Sequence, residues 1–293
     1  MSGSLPRISI VTPSYNDCQC LERTILSVLS QGYPDLEYII IDGGSTDGSV
    51  DIIKKYAHRL TYWISEPDKG MNYALQKGFD KSTGEVMGWI NSDDILHTGS
   101  LFTIGQVFGD FDEIKWLQGA PNVIDENDRV VFTPPDYGVD KLFFYEKKHA
   151  IARIYLQQES TYWRRSLWEK AGSHMCTDYK YAGDFELWIR FFQFEKLYNI
   201  NAFIGAFRVS RQGQASVENY AVYVEESFDI LNRYPLTKNE KQQITAVRFF
   251  SRIENRLLRL KRWVFKKLKL NNSYTENQKI HFDHKTQKFN LNK

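Results

Sequence analysis

The sequence predicts an α/β protein built on a mainly parallel sheet of Rossmann-like type. Over the first hundred residues, short apolar runs alternate with amphipathic stretches, and glycines punctuate the joins. Ile8 to Val11 reads as a strand, Leu21 to Leu29 as a helix, Tyr38 to Ile41 as a strand and Val50 to Tyr56 as a helix. Tyr62 to Ser65, a helix from about Met71 to Lys77, and Val86 to Ile90 continue the pattern, with Gly43, Gly44, Gly48, Gly70, Gly78 and Gly84 between elements. After Asp94 the order is mixed: a strand at Lys115 to Leu117, a hairpin around Asp125 to Arg129, and a Trp-rich stretch from Tyr162 to Trp168. This half extends the same sheet. A helix from about Asp184 to Phe194 follows, then apolar segments between Leu197 and Ile204 and a polar loop, Arg211 to Ser216. From about Glu225 the chain turns helical and then basic, and its last twenty or so residues, polar and aperiodic, are expected to be a frayed tail.

The bulk numbers exclude little but orient the reading. The 293 residues are 42% hydrophobic and 25% charged, an ordinary globular composition. A net charge of +2 supplies no global field for nucleic acid, and none is expected as a partner. Three cysteines, Cys18, Cys20 and Cys176, suit a reducing compartment, and no second cluster completes a zinc site. Met1 to Arg7 lacks the basic and apolar pattern of an export signal, and no apolar run reaches the roughly 18 residues of a spanning helix. The expectation is a cytoplasmic protein.

In an open parallel sheet, ligands bind beyond the carboxyl ends of the strands. The predicted strands end in Thr12-Pro13-Ser14-Tyr15-Asn16, Asp42-Gly43-Gly44-Ser45-Thr46-Asp47-Gly48 and Asn91-Ser92-Asp93-Asp94. Alone, the glycine-rich turn fits equally a strand-to-helix connection capped by Asp47. Asp93 and Asp94 carry more information, because adjacent carboxylates repel and an oxygen-seeking divalent cation relieves that repulsion while bridging to a diphosphate. The alternative is a solvated turn.

With Ser65 to Gly70 and Ala182-Gly183-Asp184-Phe185-Glu186-Leu187-Trp188 added, the ordered stretches resemble the family 2 glycosyltransferases of the GT-A fold, over about Ile8 to Ser216. The resemblance implies a GT-A domain at 1–224, with a nucleotide-binding half of about 1–98 and an acceptor half of about 99–224, and a helical, basic extension at 225–293. It implies that Thr12, Pro13, Tyr15 and Asp42 hold the nucleoside, the Asp42 carboxylate accepting from a uracil imide, which favours a UDP donor. Asp68 and Lys69 would lie near base and phosphates, Asp93 would face the ribose or donor sugar, and Asp94 would touch Mn2+ or Mg2+. Asp184 would be the catalytic base of an inverting transfer, with Glu186 as its rival. Arg208 and Arg211 would contact the diphosphate, while Ser210 stands where many relatives place a histidine. Trp163, Trp168 and Trp188 read as core, with acceptor stacking as the alternative for the first two.

From Arg248 to Lys269 the chain carries nine basic residues against one acid, Glu254. Ile253, Leu257, Leu260, Val264 and Leu268 form one apolar stripe beside them, as in an interfacial helix on an anionic leaflet. A helix packed on the domain is the alternative. The expected activity is transfer of a hexose-type sugar to a glycan or lipid-linked acceptor in bacterial surface-polysaccharide synthesis, at the inner face of the cytoplasmic membrane. A nucleotidyltransferase would show a glycine-rich basic loop after the first strand, which Thr12 to Asn16 is not. A silent sugar-nucleotide or glycan-binding module would tolerate loss of Asp94 or Asp184, and both are present.

Overall fold

A computed structural model of the chain describes residues 4–133, 139, 141–146, 156–209, 219–251 and 279–291. The sheet starts from apolar residues alternating across its two faces. On β1 (Ile8–Ser14), Ile8 and Ile10 enter one core layer and Val11 the other; on β2 (Leu36–Asp42), Tyr38 and Ile40 enter the first and Ile39 and Ile41 the second. Strands apolar on both faces belong inside a sheet covered on both sides. β3 (Tyr62–Ser65) pairs with β2, and β4 (Val86–Trp89) with β1, all in parallel. Pairing of β1 with β4 ends at Val11 opposite Trp89, so Pro13 costs that side no ladder hydrogen bond.

The crossovers are α1 (Leu21–Leu29), α2 (Ser49–Tyr56) and α3 (Met71–Lys81). Helix α3 runs one turn beyond the expected Lys77 because Gly78 and Phe79 continue its buried face after Ala74 and Leu75. β5 (Ile95–Leu96) and α4 (Ser100–Asp110) follow, then β6 (Trp116–Gln118), β7 (Val123–Ile124), β8 (Val130–Phe132), α5 (Lys141–Glu146), β9 (Thr161–Arg164), α6 (Arg165–Lys170), α7 (Gly183–Phe191), β10 (Tyr198–Ile200) and β11 (Gly205–Arg208). Helices α8 (Tyr220–Arg233) and α9 (Lys238–Ser251) and strands β12 (Lys279–Asp283) and β13 (Lys288–Leu291) complete the described elements.

Nine strands form one sheet, in the order β13-β12-β10-β6-β9-β4-β1-β2-β3. β9 runs antiparallel to both β4 and β6, which makes the sheet mixed at its centre. A small second sheet, β5-β11-β7-β8, sets β11 beside the strand that leaves Asp94. Trp89, Trp163 and Trp188 pack ring on ring with centroids 5.4–5.6 Å apart, and Trp163 and Trp168 are buried. Both belong to the core.

The expected frayed tail is a strand pair instead. β12 and β13 form an antiparallel hairpin that joins the main sheet where Ile280 aligns in parallel with Ile200, and Ile280 is buried. The apolar positions Ile280, Phe282, Phe289 and Leu291 are too few for a periodicity signal on their own; the open edge of β10 supplies the partner. Among the described residues no helix is long and apolar enough to cross a membrane. Of the basic segment, Arg248 to Ser251 close α9, and the remainder lies outside the described residues.

Candidate active site

The loops after β1 and β2 are locked together by side chains of both. Asn16, at φ +50°, donates its amide to Ser45 Oγ (2.8 Å) and accepts from the Thr46 amide at Oδ1 (2.9 Å). The amides of Asp17 and Cys18 bond Ser49 Oγ and Asp47 Oδ2, at 3.1 and 2.8 Å. Burial works against ionisation of Asp47, but the bonds from Ser49 and Cys18 hold its carboxyl down at about 2.

Asp42 is fully buried at the end of β2. Its Oδ2 accepts from the Gly44 and Ser45 amides and Ser65 Oγ, and its Oδ1 from Ser45 Oγ at 2.5 Å. The carboxylate shapes the turn. Gly44 sits at φ +86°, where a side chain is strained, and a Cβ on Gly43 would stand 3.2 Å from the Asp68 carboxylate and 3.3 Å from the Tyr15 ring. Tyr15, Gly43 and Asp68 therefore converge, with the Tyr15 residue 66% exposed beside them. Thr12, buried below, shares a 3.0 Å hydrogen bond with the Tyr38 hydroxyl. Asp68 accepts from the Gly70 amide, and Lys69 lies exposed with its Nζ 5.7 Å from the Tyr73 ring centre.

Asp93 and Asp94 leave β4 in a turn that enters β5. Asp94 is fully buried; Oδ1 accepts from the Arg208 amide at 2.9 Å, and Oδ2 faces Gln158 Nε2 and Asn91 Nδ2 at 3.2 and 3.4 Å. Burial, with Asp93 and Glu159 nearby, lifts its carboxyl well above the usual range. Arg208 is buried on β11. It donates Nε to the Asp93 carbonyl (2.6 Å) and Nη1 to the Asp125 carbonyl (2.9 Å), and Nη2 stands 2.5 Å from Asp128. In this arrangement the guanidinium braces the Asp93-Asp94 turn against the β7–β8 hairpin, and a diphosphate would have to draw it away. Ser210 and Arg211 lie outside the described residues.

Asp184 opens α7 half-buried, with Oδ1 2.6 Å from the Phe185 amide. Burial and then Glu226 push its carboxyl up to about 6, partly offset by that amide. The rival Glu186, itself buried, is bound to the buried Arg190 at 2.8 Å and to the hydroxyl of the half-buried Tyr234 at 2.8 Å. It is a structural acid.

Two carboxyls beyond the motifs also belong here. Asp17 is pushed up to about 6 by burial, with Asp93 and Asp47 adding to the effect against a hydrogen bond from Ser92. Glu159, buried in the 3₁₀ turn before β9, is pushed up to about 8 by burial, with Asp93 and Asp184 both contributing. It thus interacts electrostatically with both Asp93 and Asp184. Asp17 had one signal, its place one residue after the first strand-end stretch; Glu159 had none, since no motif surrounds it.

Among the described residues no three His, Cys, Asp or Glu side chains cluster to hold a metal on their own. The donor set still suits a hard cation. Asn91 Oδ1, Gln158 Oε1 and Glu159 Oε1 are buried oxygens without a hydrogen-bond partner, close to paired carboxylates. Oxygen donors of this kind match magnesium or manganese rather than zinc, with the remaining ligands left to a diphosphate.

A doubly covered mixed sheet with polar loops at its strand ends, an aspartate pair beyond β4 and a carboxylate at the start of α7 have the architecture of a GT-A fold. Residues 9–107 match the model of Glycosyl transferase family 2. An uncharacterised glycosyltransferase of Nostoc sp. is 33% identical over 128 residues, 43% of this chain and 39% of that protein. The chain thus spans about two fifths of the length of the first curated relatives it matches. Along more of the chain, a GalNAc(5)-diNAcBac-PP-undecaprenol beta-1,3-glucosyltransferase of Campylobacter jejuni is 24% identical over 262 residues, 84% of this chain and 81% of that one. Among solved structures, S. aureus TarS 1-349 in complex with UDP-GlcNAc superposes with a TM-score of 0.61 at 19% identity, covering 91% of this chain and 76% of that one. A Pyrobaculum calidifontis mannosyltransferase in complex with GDP-Man and Mn2+ gives 0.61 at 17% identity, covering 82% and 68%. At these identities the structural matches establish the fold.

Proposed function

We propose that this protein is an inverting, metal-dependent glycosyltransferase that moves a hexose-type sugar from a UDP-sugar to an acceptor hydroxyl, on a lipid-linked oligosaccharide of a surface-polysaccharide route. The observation that carries the reading is the pairing of the Asp93-Asp94 turn, in which Asp94 is buried, with a carboxyl raised to about 6 at the start of α7. Tyr15 and Asp42, with Thr12 and Pro13 beneath them, would seat the uridine, the exposed Tyr15 ring offering a face to the base. Asp68 and Lys69 would flank base and phosphates. A lipid-linked acceptor accords with the undecaprenol-linked substrate in the name of the Campylobacter relative, and a UDP donor with the TarS complex.

In the reaction, the acceptor oxygen bonds to the anomeric carbon as the bond from that carbon to phosphate oxygen breaks. The electron pair leaves with the nucleoside diphosphate, and the proton of the attacking hydroxyl passes to Asp184. A base near its operating pH is well matched to that task. Asp94, with Asp93 and the neighbouring oxygens, would hold Mn2+ or Mg2+, which when bound offsets charge on the departing diphosphate. Arg208 keeps the turn in register, and Arg211 would contact the diphosphate. The 225–293 region, through Arg248 to Lys269, would rest on an anionic membrane surface on the cytoplasmic side, near lipid-linked acceptors.

Calorimetric titration with UDP, GDP and dTDP, in manganese and in chelator, tests the donor side. Metal-dependent preference for UDP is expected, with Asp94→Ala losing about tenfold or more in affinity. Binding of no nucleotide would overturn the proposal.

A further inference from the structure

We infer that Glu226, on α8, is a positioning residue for Asp184: its carboxylate gathers three successive main-chain amides of the segment that delivers the base. The inference rests on Asp184 as the base of the proposed transfer. Glu226 Oε1 accepts from the Lys180 amide at 2.9 Å, and Oε2 from the Tyr181 and Ala182 amides at 2.9 and 2.8 Å. Ala182 is the residue before α7, so these amides are the donors that run into the helix N-terminus, where a negative group is favoured. Removal of the carboxylate would leave all three without their acceptor.

The rest of α8 points at the same segment. Asp229 accepts from the Tyr179 hydroxyl at 2.6 Å. Arg233 lies 4.8 Å from the Tyr179 ring centre, 2.9 Å from Asp229 and 3.4 Å from Asp178. Glu226, Asp229 and Arg233 follow at steps of three and four, one face of a helix devoted to 178–182. From the other side, Asn72 Nδ2 donates to the Tyr179 carbonyl at 2.9 Å, and a Cβ on Gly183 would stand 2.4 Å from that nitrogen. The segment has no regular structure of its own between α6 and α7, so its course is set from outside.

Charge accompanies the geometry. The titratable groups that face Asp184 are Glu226 and Tyr223 from α8 and Glu159 from the 3₁₀ turn. Glu226 adds to burial in raising Asp184, so loss of its charge moves the acidic limb of turnover to lower pH. A purely structural residue would change the rate and leave that limb in place.

The full chain and its Glu226→Ala, Glu226→Gln and Asp184→Asn variants test this. Hydrogen exchange is followed on peptides spanning 178–186, UDP binding with manganese by calorimetry, and UDP release from UDP-glucose and UDP-N-acetylglucosamine against pH. Glu226→Ala should speed exchange of the 180–182 amides about tenfold or more while UDP affinity stays within about twofold. It should slow UDP release by roughly ten- to a hundredfold, the scale of a small misplacement of a catalytic group. Glu226→Gln, which keeps one accepting oxygen, should move the acidic limb down with a smaller rate loss, and it carries the test if the alanine variant does not fold. Unchanged exchange at 180–182, or an unmoved acidic limb in both variants, would overturn the inference. Full turnover in Asp184→Asn would instead remove the base assignment beneath it, and the exchange result would stand apart from that failure.

Discussion

The loops after β1 and β2 and the start of α7 are built by different means. In the first, loop holds loop: Asn16, Ser45, Asp47 and Ser49 exchange hydrogen bonds between segments about thirty residues apart, and Asp42 is satisfied within its own turn and by Ser65. In the second, Asp184 and Glu159 are desolvated, and the segment before α7 is held by a helix more than forty residues downstream. A satisfied polar network sets shape and changes little with pH, whereas a carboxyl kept half-desolvated is poised to exchange a proton. Under the proposed function, the contrast assigns recognition to the β1 and β2 loops and proton transfer to the start of α7.

The sharpest way to break this contrast is Asp184→Asn. Turnover should fall by about 10²–10⁴, the span of general-base catalysis, with UDP affinity unchanged by calorimetry. The same variant should be more stable than wild type at pH 7.5. With its folded carboxyl at about 6 against an ordinary 3.8, burial disfavours the ionised form above pH 6, and stability returns as pH falls from 6 towards 3.8. The gain should be on the order of 2 kcal/mol in urea unfolding.

Arg208→Ala tests the brace on the Asp93-Asp94 turn. It strips a buried cation from two carbonyls and Asp128, and should cost roughly 3 kcal/mol of unfolding free energy, measured in urea. A surface-like cost below about 0.5 kcal/mol would reassign Arg208 to an open phosphate contact. For the wild type, UDP release should fall along an acidic limb with a midpoint near pH 6, as Asp184 protonates. The smallest effect belongs to Ser45→Ala, which removes one hydrogen bond from Asp42 and one from the Asn16 amide. About 1 kcal/mol of stability and a few-fold of UDP affinity should be lost.

The loops after β1 and β2 were legible because their information is local. Thr12 to Asn16 and Asp42 to Gly48 are short stretches at strand ends, and the strands announce themselves by apolar runs. The order of the helices and strands to β4 followed from the same pattern. Glu226 and Glu159 were not legible, since their meaning lies in contacts with residues far away in sequence: Glu226 reads as one acid among several on an amphipathic helix. The sequence suggests a diphosphate contact for Arg208 because nothing in its neighbours reveals that β11 pairs with β5 and buries it. Placing the last residues as a tail failed for the same reason, because a two-stranded ribbon declares itself only against the edge it covers.

That ribbon has a consequence for how the protein is made. Ile200 waits for Ile280, so eighty further residues must be synthesised before the β10 edge is paired. At about 5–20 residues per second, a ribosome needs roughly 4 to 16 s to deliver them. During that interval the nascent domain carries an open strand edge, the feature that invites pairing with other chains. The sheet is closed by residues that leave the ribosome long after its first strands have met.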